Sequence, residues 1–237
     1  MSIKTRTVDY ADGGVALRGY LAWDDAVSEP LPAVLVSHAW GGRTEFENEK
    51  AEWVAGRGYV GMALDVYGAG ITGSTPEENT ALMQPLLDDR GLLLRRLQAG
   101  LAALRAQPEV DAAKVAIMGF CFGGLCALDL ARSGSDIAGA VSIHGLFTPP
   151  AETRPIGAKV LALHGWDDPM AQPDSVLAFA KEMSKAGADW QLHAYGNTVH
   201  AFTNPEANAP EMGLAYSAAA DRRAFETIGN FLEEIFD

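Results

Sequence analysis

The sequence predicts an α/β fold: a mostly parallel, twisted sheet with helices on both faces. Short uninterrupted apolar runs of the kind parallel strands show when both faces are covered recur along the chain. Helical stretches lie between them, so strands and helices alternate. The chain of 237 residues is 48% hydrophobic and 21% charged, ordinary globular usage with enough apolar material for one large core. We therefore read residues 1–237 as a single domain.

The elements follow in chain order. Thr5–Tyr10 and Val15–Trp23 flank the turn Ala11-Asp12-Gly13-Gly14 and predict an opening antiparallel hairpin at a sheet edge. Ala33–Ser37 is the first long apolar run, and Tyr59–Leu64, Val115–Met118, Ile137–Ile143, Val160–Leu163 and Trp190–Tyr195 are its successors. Thr75-Pro76-Glu77-Glu78 marks a helix start: Thr75 caps, Pro76 suits the first helical position and Glu78 completes a capping box. The leucine-rich helical region that follows contains Pro85 and Gly91, which break or kink it. At the end, Phe225, Ile228, Phe231, Leu232 and Ile235 share one helical face, as in a packing helix.

Charge and cysteine content narrow the function classes. The 18 Lys and Arg against 31 Asp and Glu give a net charge of −13, which repels nucleic acid and anionic lipid surfaces. No apolar run approaches the roughly 18 residues of a membrane span, and the N-terminal residues lack the apolar stretch of a signal peptide. Cys121 and Cys126 lie five apart in one segment and offer no disulfide framework, so the reducing cytoplasm is the expected compartment. A monomer or small homo-oligomer without nucleic-acid or membrane partners is expected.

The chemistry concentrates in Gly119-Phe120-Cys121-Phe122-Gly123-Gly124, between the apolar strand Val115–Met118 and the helical run Leu125–Ala131. This is the context of a nucleophile elbow, where positions two before and two after the nucleophile must be small. A helix starting just after Cys121 points free N–H groups and its positive end at the sulfur, favouring thiolate. Cys126 reads as a small buried hydrophobe. A dinucleotide loop is rejected because Cys121 occupies the position of its second glycine.

A nucleophile in such a fold is followed by an acid and then a histidine. Asp168 sits in the turn Gly165-Trp166-Asp167-Asp168-Pro169 at the end of a strand, with Asp167 as its close rival. His200 lies in a loop after the last strand. His38, His144, His164 and His193 read as structural, hydrogen-bonding histidines. No histidine pair has metal-site spacing, so neither metal nor other cofactor is expected.

The strings Ser37-His38-Ala39-Trp40-Gly41-Gly42, Leu64-Asp65-Val66-Tyr67-Gly68, the cysteine elbow and Val199-His200-Ala201-Phe202 together resemble the dienelactone hydrolase family. The likeness runs from about Val34 to the C-terminus. It implies the α/β-hydrolase fold and an enzyme in which Cys121 attacks an ester or lactone carbonyl, His200 is the base and Asp168 orients it. It also implies an oxyanion hole from the backbone N–H groups of Phe122 and Trp40. Arg90, Asn204, Phe202 and Tyr67 are then the candidates for substrate contact. Two positions depart from the pattern: Ala39 stands where members acting on dienelactone carry a glutamate, and Asn204 where they carry a carboxylate-binding arginine. Arg90 is the candidate replacement for that cation. The absent glutamate also leaves open a non-catalytic binding protein on this scaffold, and the lone reactive thiol a redox role.

Overall fold

A computed structural model describes residues 2–237. β1 (Ile3–Asp12) and β2 (Val15–Asp24) form the expected antiparallel hairpin, turning at Gly13 and Gly14, whose φ angles of 55° and 90° suit glycine. β2 pairs antiparallel with β4 (Val60–Leu64), and from there the sheet is parallel through β3 (Leu31–Ser37), β5 (Val110–Phe120), β6 (Gly139–Ile143), β7 (Lys159–Gly165) and β8 (Trp190–Tyr195). The eight strands lie in the order β1-β2-β4-β3-β5-β6-β7-β8.

Alternation along the central strands divides the apolar residues between two layers, because successive side chains point to opposite faces. In β3, Ala33 and Leu35 join the core under α3 (Arg90–Arg105), α4 (Phe122–Arg132) and α5 (Pro173–Lys185). Val34 and Val36 join the opposite core under α1 (Glu45–Ala55) and α6 (Ala218–Phe236). Burial of each valine or leucine among them contributes roughly 1.5–3 kcal/mol, which is why these short runs are apolar throughout. The terminal helix packs with Ile228, Phe231 and Leu232 inward, as its pattern requires.

Between β4 and β5 the helical region divides into α2 (Pro76–Asp88) and α3. The break falls at Asp89, whose side chain accepts the Leu92 N–H at 2.8 Å and starts the second helix, while Pro85 remains inside α2. Thr75 caps α2 as expected, but Glu78 turns back to the Ser74 N–H rather than to Thr75. A short hairpin, β9 (Asn208–Ala209) with β10 (Leu214–Ala215), follows the last sheet strand and has no counterpart in the sequence reading.

From β3 the chain crosses to β4 on one side and later returns to β5 on the other. The order therefore reverses between β3 and β5, and a crevice opens at their carboxyl ends.

Candidate active site

Cys121 stands at the end of β5, the strand on one side of that crevice, and immediately precedes α4. Its φ of 55° and ψ of −115° are strained for a residue with a side chain. The surrounding chain leaves no alternative to glycine on either side. A Cβ at Gly119 would lie 2.1 Å from the Gly123 carbonyl oxygen, and one at Gly123 would lie 2.2 Å from that of Ser37. The Cys121 N–H is shared between the carbonyl of Ile143 at 3.0 Å and Nδ1 of His144 at 3.2 Å. His144 Nε2 then donates to Thr203 Oγ1 at 2.9 Å. Burial holds the His144 imidazole well below its usual pKa, and the neighbouring charge of His200 lowers it further.

Asp168 and His200 come together from the ends of β7 and β8. Asp168 is buried, and its Oδ2 is 2.7 Å from His200 Nδ1, while Oδ1 accepts the Met170 N–H at 2.8 Å. The Asp167 side chain is exposed and makes no such contact. The unforeseen hairpin fixes both partners: the His200 N–H donates to the Gly213 carbonyl at 3.0 Å, and Gly213 lies against the ring of Pro169. Burial opposes a charged His200, but its coupling to Cys121 and the Asp168 hydrogen bond outweigh it and push its pKa up to about 10. His200 Nε2 has no hydrogen-bond partner, so sulfur and imidazole are electrostatic neighbours in this resting arrangement.

Cys121, His144 and His200 line a cavity of about 620 Å³. Its walls are largely apolar, with Phe46, Met83, Phe120, Leu146, Met170, Met212 and Leu214. The lining carboxylates are Glu47 and Glu206, His200 is the cationic group, and no lysine or arginine among the described residues contributes. Among the described residues, the N–H groups of Phe122 and Trp40 have no acceptor. No group of three or more His, Cys, Asp or Glu side chains among the described residues is placed to hold a metal ion.

Of the four side chains expected at the substrate, Asn204 lines the cavity and the other three do not. Arg90 is held by Asp129, with Nε to Oδ2 and Nη2 to Oδ1 both at 2.6 Å, and faces a different surface pocket. Its guanidinium completes a buried ion cluster with Arg132 and Glu182. Phe202 is fully buried, edge-on to His144 and Tyr195. Tyr67 is buried, and its hydroxyl donates to the Trp40 carbonyl at 2.8 Å. Sequence reasoning in turn missed Glu47, although Thr44-Glu45-Phe46-Glu47 carries the signature of a helix start.

The model of the dienelactone hydrolase family matches residues 17–236. The chain belongs to the dienelactone hydrolase family. A dienelactone hydrolase-like promiscuous phosphotriesterase from metagenomic libraries has the same fold at a TM-score of 0.95, with 37% identity over the full length of both chains. A putative carboxymethylenebutenolidase of Aquifex aeolicus is 29% identical over 203 residues, covering 83% of this chain and 86% of that one. An uncharacterised protein of Caenorhabditis elegans is 37% identical over 155 residues, covering 63% of this chain and 98% of its own. Membership accounts for the order of elements around the elbow, and the fold is that of an α/β-hydrolase.

Proposed function

We propose that this dienelactone hydrolase family member hydrolyses neutral carboxylic esters or lactones through Cys121, His200 and Asp168. The observation that carries the reading is the convergence of a strained cysteine, a buried His–Asp pair and two unpaired backbone N–H groups on one apolar cavity.

The Cys121 sulfur attacks the carbonyl carbon, and the oxygen takes the electron pair as an oxyanion facing the N–H groups of Phe122 and Trp40. Collapse breaks the bond to the leaving oxygen, which takes the proton from His200 and departs as an alcohol, leaving a thioester. His200, now neutral, removes a proton from water; the hydroxide attacks the thioester, and the acid and Cys121 are released. Asp168 holds the imidazole in the tautomer both steps need.

The cavity supports the choice of substrate charge. Asn204 replaces the family's arginine, Arg90 is committed to Asp129, and the cavity carries two carboxylates, Glu47 and Glu206. An anionic lactone therefore meets no lysine or arginine to pair with its carboxylate, and two like charges. The same features suit a neutral phosphotriester, whose phosphoryl oxygen would face the same donors, and the metagenomic relative carries that activity in its description.

Steady-state kinetics on p-nitrophenyl butyrate and dienelactone, each with wild type and Cys121→Ala, test the proposal. Higher kcat/KM for the neutral ester, lost in the folded alanine variant, is expected; unchanged turnover in Cys121→Ala sinks the assignment.

A further inference from the structure

Resting on that hydrolase reading, we propose that Glu47, His38 and Tyr67 form a brace that presets the Trp40 N–H as the second oxyanion donor. His38 opens the short loop of residues 38–42, Glu47 follows in α1 and Tyr67 comes from beyond β4, and the three side chains converge on consecutive peptide groups of that loop.

Each peptide is held in turn. The Ala39 N–H donates to Glu47 Oε1 at 3.3 Å, and the same carboxylate accepts the Thr44 N–H and hydroxyl through Oε2, both at 2.8 Å. Glu47 thus clamps the two ends of the loop from the first turn of α1, where a carboxylate is favoured by the helix dipole. The Ala39 carbonyl accepts from His38 Nδ1 at 2.7 Å and from the Gly42 N–H at 3.2 Å. The Trp40 carbonyl accepts the Tyr67 hydroxyl at 2.8 Å.

The pinned Ala39 carbonyl sets the direction of the Trp40 N–H. A carbonyl cannot donate, so His38 Nδ1 carries the proton, and Nε2 accepts the Val66 N–H at 3.3 Å. The ring is buried outside the cavity, and its burial favours this neutral state. In a trans peptide the C=O and N–H point in opposite directions, and the described residues contain no cis peptide bond. With the Ala39 oxygen turned to buried His38, the Trp40 N–H of the same peptide points away from it, on the side where Trp40 lines the cavity with Cys121. Tyr67 locks the next peptide and prevents the Ala39–Trp40 unit from flipping. The loop bearing Tyr67 is itself fixed: buried Asp65 accepts the N–H groups of Tyr67, Gly68 and Gly70 at 2.8, 2.9 and 3.0 Å.

Glu47, His38 and Tyr67 are accordingly positioning residues. Loss of one should tilt a donor without removing it, and their effect belongs to the transition state, where the oxyanion exists.

Tyr67→Phe and Glu47→Gln are the test, with kcat and KM on p-nitrophenyl butyrate and the rate of Cys121 alkylation by iodoacetamide. Alkylation displaces iodide at a methylene carbon and forms no oxyanion, so it reports the sulfur alone. We expect kcat to fall about tenfold or more, short of the roughly 10²–10³-fold cost of losing a donor outright. KM and the alkylation rate should stay within about twofold of wild type, as for an interaction made only in the transition state. Should Glu47→Gln fail to fold, Tyr67→Phe, which removes a single oxygen, decides the matter. Unchanged kcat in the folded variants, or a parallel fall in alkylation, overturns the brace while wild-type turnover leaves the hydrolase reading standing. A wild-type chain without Cys121-dependent turnover overturns both.

Discussion

His200 concentrates the chemistry of single residues, because its charge state decides which partner gives up a proton. Its pKa of about 10 lies above the usual histidine value, so the imidazolium persists through neutral pH and is lost as pH rises through the folded value. The stability it contributes is likewise complete below about 6.5 and disappears toward about 10. Because the proposed mechanism has the imidazolium protonate the leaving group, kcat/KM should hold level through neutral pH and fall as pH approaches about 10, after correction for spontaneous hydrolysis. Asp168→Asn removes a hydrogen bond that raises this pKa, so the alkaline fall should begin at lower pH and kcat should drop by several orders of magnitude. Asp167→Asn, on an exposed side chain, should retain the wild-type profile. A rise in activity through pH 6.5 in wild type would show that neutral His200 is the resting state. The elbow glycines and Cys121 were legible because backbone crowding demands residue types directly. Choosing Asp168 over its neighbour on sequence alone was harder, since both lie in one turn; only three-dimensional placement separates a buried carboxylate from an exposed one.

Among the elements, strands were the most legible and the loops joining sheet to site the least. β8, a half-buried edge strand, lies where expected; β3, β4 and β7 differ by one or two residues at an end, because burial on both faces there demands unbroken apolar runs. The hairpin β9–β10, only two residues per strand, is too short for periodicity to reveal, yet it fixes His200. Arg90 shows the same limit on the helical side. At the start of α3 an arginine reads as part of a solvated helix face or as a substrate anchor, whereas Asp129, distant in sequence, claims it. Burial raises the Asp129 pKa, and Arg90 and Arg132 counter it. Arg90→Ala should therefore cost roughly 1.5–3 kcal/mol of stability, the range for hydrogen bonds to a charged group, while KM for a neutral ester stays unchanged. Chemical denaturation beside steady-state kinetics checks both halves, and a large rise in KM without loss of stability would return Arg90 to the substrate.

At the scale of the molecule, the sheet, the reversal of strand order and the net charge of −13 act together. The reversal opens the crevice, five strand ends deliver the elbow, the proposed oxyanion loop, His144, Asp168 and His200 to it, and the net acidic chain surrounds a largely apolar cavity. No helix among the described residues is long and apolar enough to cross a membrane. The fold was readable from sequence because alternation of strand and helix is a repeated signal; the cavity was not, since its walls come from scattered loop residues such as Leu146, Met170 and Met212. The central claim is that Cys121 carries the acyl group of a neutral ester, and acid-quenched mass spectrometry of the chain during turnover of p-nitrophenyl butyrate tests it most directly. The account predicts one butyryl group on the peptide containing Cys121, released by hydroxylamine as a thioester should be and absent from Cys121→Ala; sustained, Cys121-independent turnover with that peptide unmodified would contradict it.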